Sequence, residues 1–406
     1  MKERYIQHAI DDLSFDDHKM AFVSGPRQCG KTTLAKMIMD ARSFGVYHNW
    51  DDVTFRRVWV KNPIDAIPAS RSGIIPVVIF DEIHKAKGWK RTLKGIYDTL
   101  EMPADILVTG SARLNVYRKS SDSLLGRYHH FRLHPFSLRE MHLSNWITPP
   151  ENPEDLIDSS LNSNLYRQDL ADLMQFGTFP EPLFAQNTRK ARLWRRERRE
   201  RVIREDLRDM TRTVELSQIE MLAALIPPRV GAPVSTACFR DLLEVSHTTA
   251  SRWLTWLKEL YYVFEIKPYS SNIARSLKKE GKFYMWDPSE VPDEGARFEN
   301  LIACHLLKAC HLWTDSGEGD FDLYYLRNKD RQEIDFIILR DGIPWLPVEV
   351  KLSSTTPSPN WRRFFKSLPC KTGIQVCLQD GVYRNFEENN ARVAVVSAAH
   401  LLANLP

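Results

Sequence analysis

The chain has 406 residues, too many for one ordinary core and enough for about two to four units of 100–150 residues. Its hydrophobic (43%) and charged (27%) fractions are those of a globular protein. No apolar run reaches the roughly 18 residues of a membrane span, and the start Met1-Lys2-Glu3-Arg4 leads into polar sequence without an apolar leader core. A net charge of +4 excludes a general polycation, so any nucleic-acid surface must be local. The cysteines Cys29, Cys238, Cys304, Cys310, Cys370 and Cys377 are scattered without a C-x-x-C pair. That pattern favours a reducing cytoplasm over a disulfide framework or a zinc site.

The first strong element is an apolar strand, Ala21-Phe22-Val23-Ser24, followed by Gly25-Pro26-Arg27-Gln28-Cys29-Gly30-Lys31-Thr32-Thr33 and a helical pattern. This fits G-x-x-x-x-G-K-[ST] without a mismatch, in the strand–loop–helix setting a phosphate loop requires. Gly25 and Gly30 allow the backbone to wrap a phosphate, and the loop N–H groups with the helix N-terminus supply positive potential. Lys31 is expected to reach the β/γ-phosphates of ATP and the Thr32 hydroxyl to ligate Mg²⁺. The run 76–82 is a continuous apolar strand, of the kind buried in a parallel sheet, ending in Asp81-Glu82. Strand ends of this sort face the ligand, so Asp81 is expected to hold Mg²⁺ and Glu82 to orient the attacking water. A further strand, 105–109, delivers Gly110-Ser111-Ala112-Arg113. Ser111 there senses the γ-phosphate, caps the following helix, or does both.

Next come Gly126-Arg127 and Leu133-x-Pro135-Phe136-Ser137-x-x-Glu140. With the phosphate loop, the Asp81-Glu82 strand end and Thr109-Gly110-Ser111, these residues resemble the prokaryotic AAA-type ATPases that carry a C-terminal domain of unknown function numbered 4143. The resemblance implies an arginine finger, assigned to Arg127 with Arg113 and Arg132 as alternatives. It also implies a homo-oligomer, since these ATPases are similar to ring-forming relatives.

A proline- and acid-rich connector at 147–155 marks a boundary, and Gly177-Thr178-Phe179-Pro180 resembles a Gly-x-x-Pro segment of the same family. Residues 189–212 carry eleven basic and five acidic side chains. Leu193, Ile203, Leu207 and Met210 recur at helical spacing, so the segment reads as an amphipathic helix with a basic outer face. Arg195, Arg196, Arg198 and Arg199 are its candidates for contact with a DNA backbone. Residues 236–260 then give a helix-turn-helix layout, with Leu254, Leu257 and Leu260 inward and Thr248, Thr249 and Arg252 at the N-terminal end of the second helix. Two β-rich pieces joined by Arg275, Lys278 and Lys279 make a basic wing. A winged helix that serves only for packing explains the same pattern.

In the C-terminal part, 332–340 and 343–352 are alternating strands around Asp341-Gly342. A three-residue loop, 341–343, pairs Phe336 with Val348 and Ile338 with Leu346, giving one unbroken apolar face. The same register sets Asp335 opposite Glu349 and Glu333 opposite Lys351, so burying the apolar face assembles a polar cluster. Asp335 and Glu349 are candidate Mg²⁺ ligands, with Lys351 beside the attacking water. The D…E-x-K arrangement resembles the restriction-endonuclease-like nucleases, and Glu299, in a helical segment, matches that superfamily's auxiliary acid.

The expected fold is α/β: a P-loop AAA-type ATPase with a parallel sheet (1–146), a helical lid or linker (147–225), a winged helix (226–290) and a restriction-endonuclease-like domain (291–406). The expected function is Mg²⁺-dependent ATP hydrolysis acting on DNA, in genome maintenance or defence against foreign DNA. The alternative is an ATP-dependent switch whose nuclease-like domain binds DNA or a protein without cutting.

Overall fold

The computed structural model describes residues 2–42, 44–69, 73–110, 114, 124–142, 148–157, 166–210, 215–270, 280–388 and 390–406. Ser111 and Arg113 lie outside them, as do the wing residues Arg275, Lys278 and Lys279. The described chain forms two compact units, the first ending at Pro135 and the second beginning at Phe136.

In the first unit, β1 (Met20–Ser24), β2 (Gly45–Asn49), β3 (Val77–Asp81), β4 (Asp105–Gly110) and β5 (Tyr128–Arg132) form a parallel sheet in the order β2-β3-β4-β1-β5. β1, β3 and β4 are buried along their whole length, as continuous apolar runs demand. Helices α1 (Lys31–Asp40), α2 (Val53–Lys61) and α3 (Trp89–Thr99) accompany the sheet. Phe22, Phe55, Phe80, Trp59 and Trp89 share one core with the strand residues Val78, Ile106 and Val108. All five strands run the same way, so Ser24, Asp81 and Gly110 finish at one edge, the edge where ligands bind in such sheets.

The second unit holds a larger mixed sheet. Its strands among the described residues are β6 (Pro233–Val234), β7 (Val263–Pro268), β8 (Gly281–Met285), β9 (Phe321–Arg327), β10 (Glu333–Arg340), β11 (Ile343–Lys351), β12 (Thr372–Cys377), β13 (Tyr383–Glu388) and β14 (Ala391–Ser397). Their order is β13-β14-β12-β11-β10-β9-β7-β8-β6. The expected boundary at 290/291 therefore falls inside one sheet, because β7 pairs in parallel with β9 through Lys267 with Tyr324 and Pro268 with Tyr325.

The β10–β11 hairpin corrects the expected loop and keeps the expected register. Arg340 pairs with Ile343, so the turn is the two-residue Asp341-Gly342, with both residues at positive φ. A β-bulge between Ile338 and Leu339 absorbs the extra residue, restoring the Phe336–Val348 and Ile338–Leu346 pairs that bury the apolar face.

Helices α4 (Arg167–Phe176), α5 (Thr188–Glu200), α6 (Leu216–Leu225), α7 (Thr236–Leu243), α8 (His247–Glu259) and α9 (Glu294–Asp315) also belong to this unit. On α5 the buried stripe is Ala191, Trp194 and Arg198, whereas Leu193 is exposed. A π-helical stretch, Arg201–Asp206, shifts the phase before Leu207, so the stripe does not follow the simple spacing from Leu193. Segment 136–140 is anchored on α9: Lys308 donates to Ser137 Oγ (2.9 Å) and to Glu140, and the Leu138 N–H donates to His305 Nε2 (3.0 Å). Ser137 N–H closes the set on Glu140 Oε2 (3.2 Å).

Candidate functional site

Gly30, at φ 103°, caps α1, and Gln28 also adopts a left-handed conformation, so the loop between β1 and α1 curls back on itself. Gly25 is held against the Leu133 carbonyl so closely that a Cβ would collide with it. Lys31 is buried, and its ammonium donates to Gly25 O (3.0 Å) and Pro26 O (2.7 Å), which puts the charge inside the curl. Arg4, whose role sequence reading missed, fastens the loop from behind by donating to Cys29 O (2.8 Å) and His134 O (2.6 Å). A lone arginine near the start carries no local signal of such a partner 130 residues away.

Asp81 accepts three hydroxyls: Thr32 Oγ1 (2.8 Å) and Tyr47 Oη (2.6 Å) on Oδ2, and Thr109 Oγ1 (2.6 Å) on Oδ1. Burial and the neighbouring carboxylate push the Tyr47 phenol up to about 12, which keeps it a neutral donor. Glu82, at φ 59°, donates its N–H to Thr109 O (2.9 Å). Burial raises its carboxyl above the usual range, while Lys31 and Lys85 pull the other way. Its Oε2 lies 3.5 Å from Lys85 Nζ, which also bonds Asp51 (2.8 Å). The result is a loop suited to an anion, a hydroxyl and a carboxylate adjacent at its lysine, and a second carboxylate, held above its usual range, on the residue after the strand. That donor set fits a magnesium–nucleotide. Arg127 is half-buried and engages Asp98 through two bonds, Nε to Oδ1 (2.6 Å) and Nη2 to Oδ2 (3.1 Å).

A second centre lies in the larger sheet. Asp335 sits one residue beyond the β10–β11 ladder and accepts the Val350 N–H (2.8 Å) on Oδ2. Glu349 is 2% exposed; Lys351 Nζ is 2.6 Å from its Oε1, and its Oε2 is buried without a hydrogen-bond partner. Glu299, on α9, accepts the Tyr284 hydroxyl (2.7 Å). Sequence reading missed the group that ties these acids together. Lys282 Nζ lies 2.5 Å from Glu333 Oε1, 3.3 Å from Glu299 Oε1 and 3.7 Å from Asp335 Oδ1. Lys282 and Tyr284, two apart on the wholly buried β8, point to one face. Burial, then the Asp335 charge, raises the carboxyls of Glu299 and Glu349, while Lys282 and Lys351 pull them down. Among the described residues no three His, Cys, Asp or Glu side chains converge as a metal cage. Magnesium is ordinarily held by one or two carboxylates and waters, and the orphaned Glu349 oxygen beside Asp335 fits that lesser requirement.

Of the basic helix residues, Arg198 corrects the expectation of an outer face. It is buried, with Nη1 on Glu290 Oε1 (3.2 Å), Nη2 on Tyr261 O (3.2 Å) and the guanidinium 4.2 Å from the Phe179 ring centre. Burial among acids and aromatics removes it from any nucleic-acid surface. Arg195 is half-buried and donates to Ser289 O (3.4 Å). Arg196 and Arg199 are exposed, line a groove of about 410 Å³ with Arg204 and Glu220, and make no hydrogen bond or ion pair among the described residues. On α8, Ser246 caps the helix through Thr249 N–H (3.0 Å), leaving Thr248 and Arg252 exposed. Arg252 lies over Trp256 and 3.7 Å from Glu215. Among the described residues no helix is long and apolar enough to cross a membrane.

Residues 17–142 match the family described as an AAA domain. Residues 167–291 match a domain of unknown function numbered 8612, and residues 294–399 the domain of unknown function numbered 4143. An uncharacterised protein of Mycobacterium tuberculosis is 22% identical over 356 residues, covering 83% of this chain and 71% of that one. An uncharacterised protein of Haemophilus influenzae is 22% identical over 384 residues, covering 87% and 88%. A solved structure of Drosophila ORC bound to AT-rich DNA and Cdc6 aligns with 73% of this chain and 92% of its own at 11% identity, with a TM-score of 0.23, too slight a likeness to carry an argument. The chain thus carries an AAA domain first and domain 4143 last, the order found in the AAA-type P-loop ATPases it resembles.

Proposed function

We propose that the protein is a cytoplasmic, Mg²⁺-dependent ATPase that acts on DNA as a homo-oligomer, with hydrolysis driving remodelling, translocation or branch processing and gating a cut by the C-terminal centre. The observation that carries this reading is the meeting of Lys31, Thr32, Asp81 and Glu82 at one strand edge. Lys31 and the loop amides bind the phosphates. Thr32 and Asp81 hold Mg²⁺, which when bound offsets charge on the phosphate oxygens. Tyr47 and Thr109 fix the Asp81 carboxylate, and Glu82 orients and polarises the attacking water. Arg127 leaves Asp98 to reach the nucleotide of a neighbouring copy, a contribution worth about 10³–10⁵ in turnover where such fingers operate.

The Arg196 and Arg199 groove meets a phosphate backbone, with Arg195, one residue before Arg196 on the same helix, adding to it, and the N-terminal end of α8, with Thr248 and Arg252 exposed and Thr249 half-buried, meets DNA as a recognition helix. Asp335 and Glu349 hold the second Mg²⁺ and Lys351 stabilises the water that attacks a phosphodiester.

The test is cleavage of end-labelled single-stranded, duplex and branched DNA in Mg²⁺ or Mn²⁺, with and without ATP. Wild type should cut, Asp335→Ala should not, and Glu82→Gln should cut without responding to ATP turnover. No cutting of any substrate would make the C-terminal domain a binding module and remodelling the leading function.

A further inference from the structure

Lys282 is 1% exposed, and an ammonium is seldom buried so fully without specific partners. It has three: Glu299 from α9, and Glu333 and Asp335, two apart at the start of β10. A fourth contact, the Tyr325 ring 5.3 Å away, closes the aromatic side. Gly231 approaches the Glu299 carboxylate so closely that a Cβ would stand 3.0 Å from both oxygens. Three carboxylates within 3.7 Å take the place of the water that the buried ammonium has lost.

The remaining members of the cluster differ in kind. Lys351 is 40% exposed in its side chain and bonds only one oxygen of Glu349, leaving the other orphaned. A buried carboxylate oxygen without a donor is costly, and a cation bound at this centre would remove that cost. Between Glu299 and Asp335 no such need exists, because an ammonium already lies 3.3 and 3.7 Å from them. A divalent ion placed there would have to displace a charge of its own sign from a closed site.

We propose that Lys282 is the built-in cation of this centre, occupying the position between Glu299 and Asp335, so that the centre takes one divalent cation, at Glu349 and Asp335, and not two. This rests on reading the centre as nuclease-like. Lys282 is then a positioning residue, and its strand, β8, joins the winged-helix segment to the centre through β7 and β9.

The experiment is Mn²⁺ titration of the nucleotide-free full chain, counted by electron paramagnetic resonance, with Glu349→Gln as the reference that subtracts ions bound elsewhere. Wild type should bind one Mn²⁺ more than Glu349→Gln. Lys282→Met, which leaves three carboxylates without their ammonium, should bind one more than wild type, and Lys282→Arg should keep the wild-type number. Two ions at the wild-type centre, or no gain in Lys282→Met, would overturn the proposal while sparing the metal reading. Equal binding by wild type and Glu349→Gln would defeat the metal reading itself, and the inference with it. Should Lys282→Met fail to fold, Mn²⁺-soaked wild-type crystals decide: one anomalous peak beside Glu349 supports the proposal, and a peak between Glu299 and Asp335 overturns it.

Discussion

Replacing Arg198 separates an arginine that holds the fold from one that touches DNA. Its side chain is 1% exposed, its guanidinium bridges Glu290 and the Tyr261 carbonyl, and it stacks on Phe179. Asp287, buried close by, keeps one oxygen without a partner. Arg198→Met would strip the cation from both acids, and breaking a buried pair in this way costs about 3–5 kcal/mol. At about 2–4 °C per kcal/mol for a large domain, the thermal transition of the second unit should fall by roughly 10 °C. Calorimetry on wild type, Arg198→Met and Arg198→Met/Glu290→Gln measures this, with the double variant recovering part of the loss because the orphaned charge is gone. Arg196→Ala and Arg199→Ala, at exposed positions, should stay within about 0.5 kcal/mol of wild type while weakening DNA binding and lowering its salt dependence. The reasoning is refuted if Arg198→Met melts like wild type and loses DNA affinity as Arg196→Ala does.

Glu82→Gln should retain ATP binding and lose at least about 10² in turnover, read by equilibrium binding of a fluorescent nucleotide beside steady-state hydrolysis. Gly25→Ala should abolish that binding, because its methyl meets the Leu133 carbonyl; unchanged affinity would mean the loop has more room than its geometry implies. Burial holds His305 down to about 4, with Nδ1 donating to Leu301 O (2.8 Å) and Nε2 accepting from Leu138 N–H. A depressed histidine contributes stability that is present above its unfolded value near 6.5 and lost as pH falls towards 4. The total is about 3 kcal/mol. Urea denaturation between pH 7 and 4 should show this limb in wild type and a flatter one in His305→Gln.

What could be read from the sequence follows from how local each feature is. The loop from Gly25 to Thr33 is a contiguous chemical unit, and the strands that end in Asp81 and Gly110 announce themselves by unbroken apolar runs, so the grouping of Lys31, Thr32, Asp81 and Glu82 was legible. The β10–β11 register was legible because burial of Phe336, Ile338, Leu346 and Val348 permits only one pairing, although the bulge that achieves it was not. Lys282 was hidden because its partners are 17, 51 and 53 positions away on other elements. Arg198 was hidden for a different reason: among many arginines on one helix, composition cannot say which one turns inward, and the π-helical stretch that begins at Arg201 breaks the period that might have shown it. Arg4 and Tyr47 act on the loop and on Asp81 from elsewhere in the chain, and neither residue type signals such a role by itself.

The central claim is that ATP turnover at the Lys31 and Glu82 site is coupled to DNA. Steady-state ATP hydrolysis by the full chain, with and without single-stranded, duplex and branched DNA, tests it most directly, with Glu82→Gln as the blank. The account predicts hydrolysis that rises with DNA and loses the rise when Arg196 and Arg199 are both replaced by alanine. Hydrolysis indifferent to every DNA substrate would contradict it.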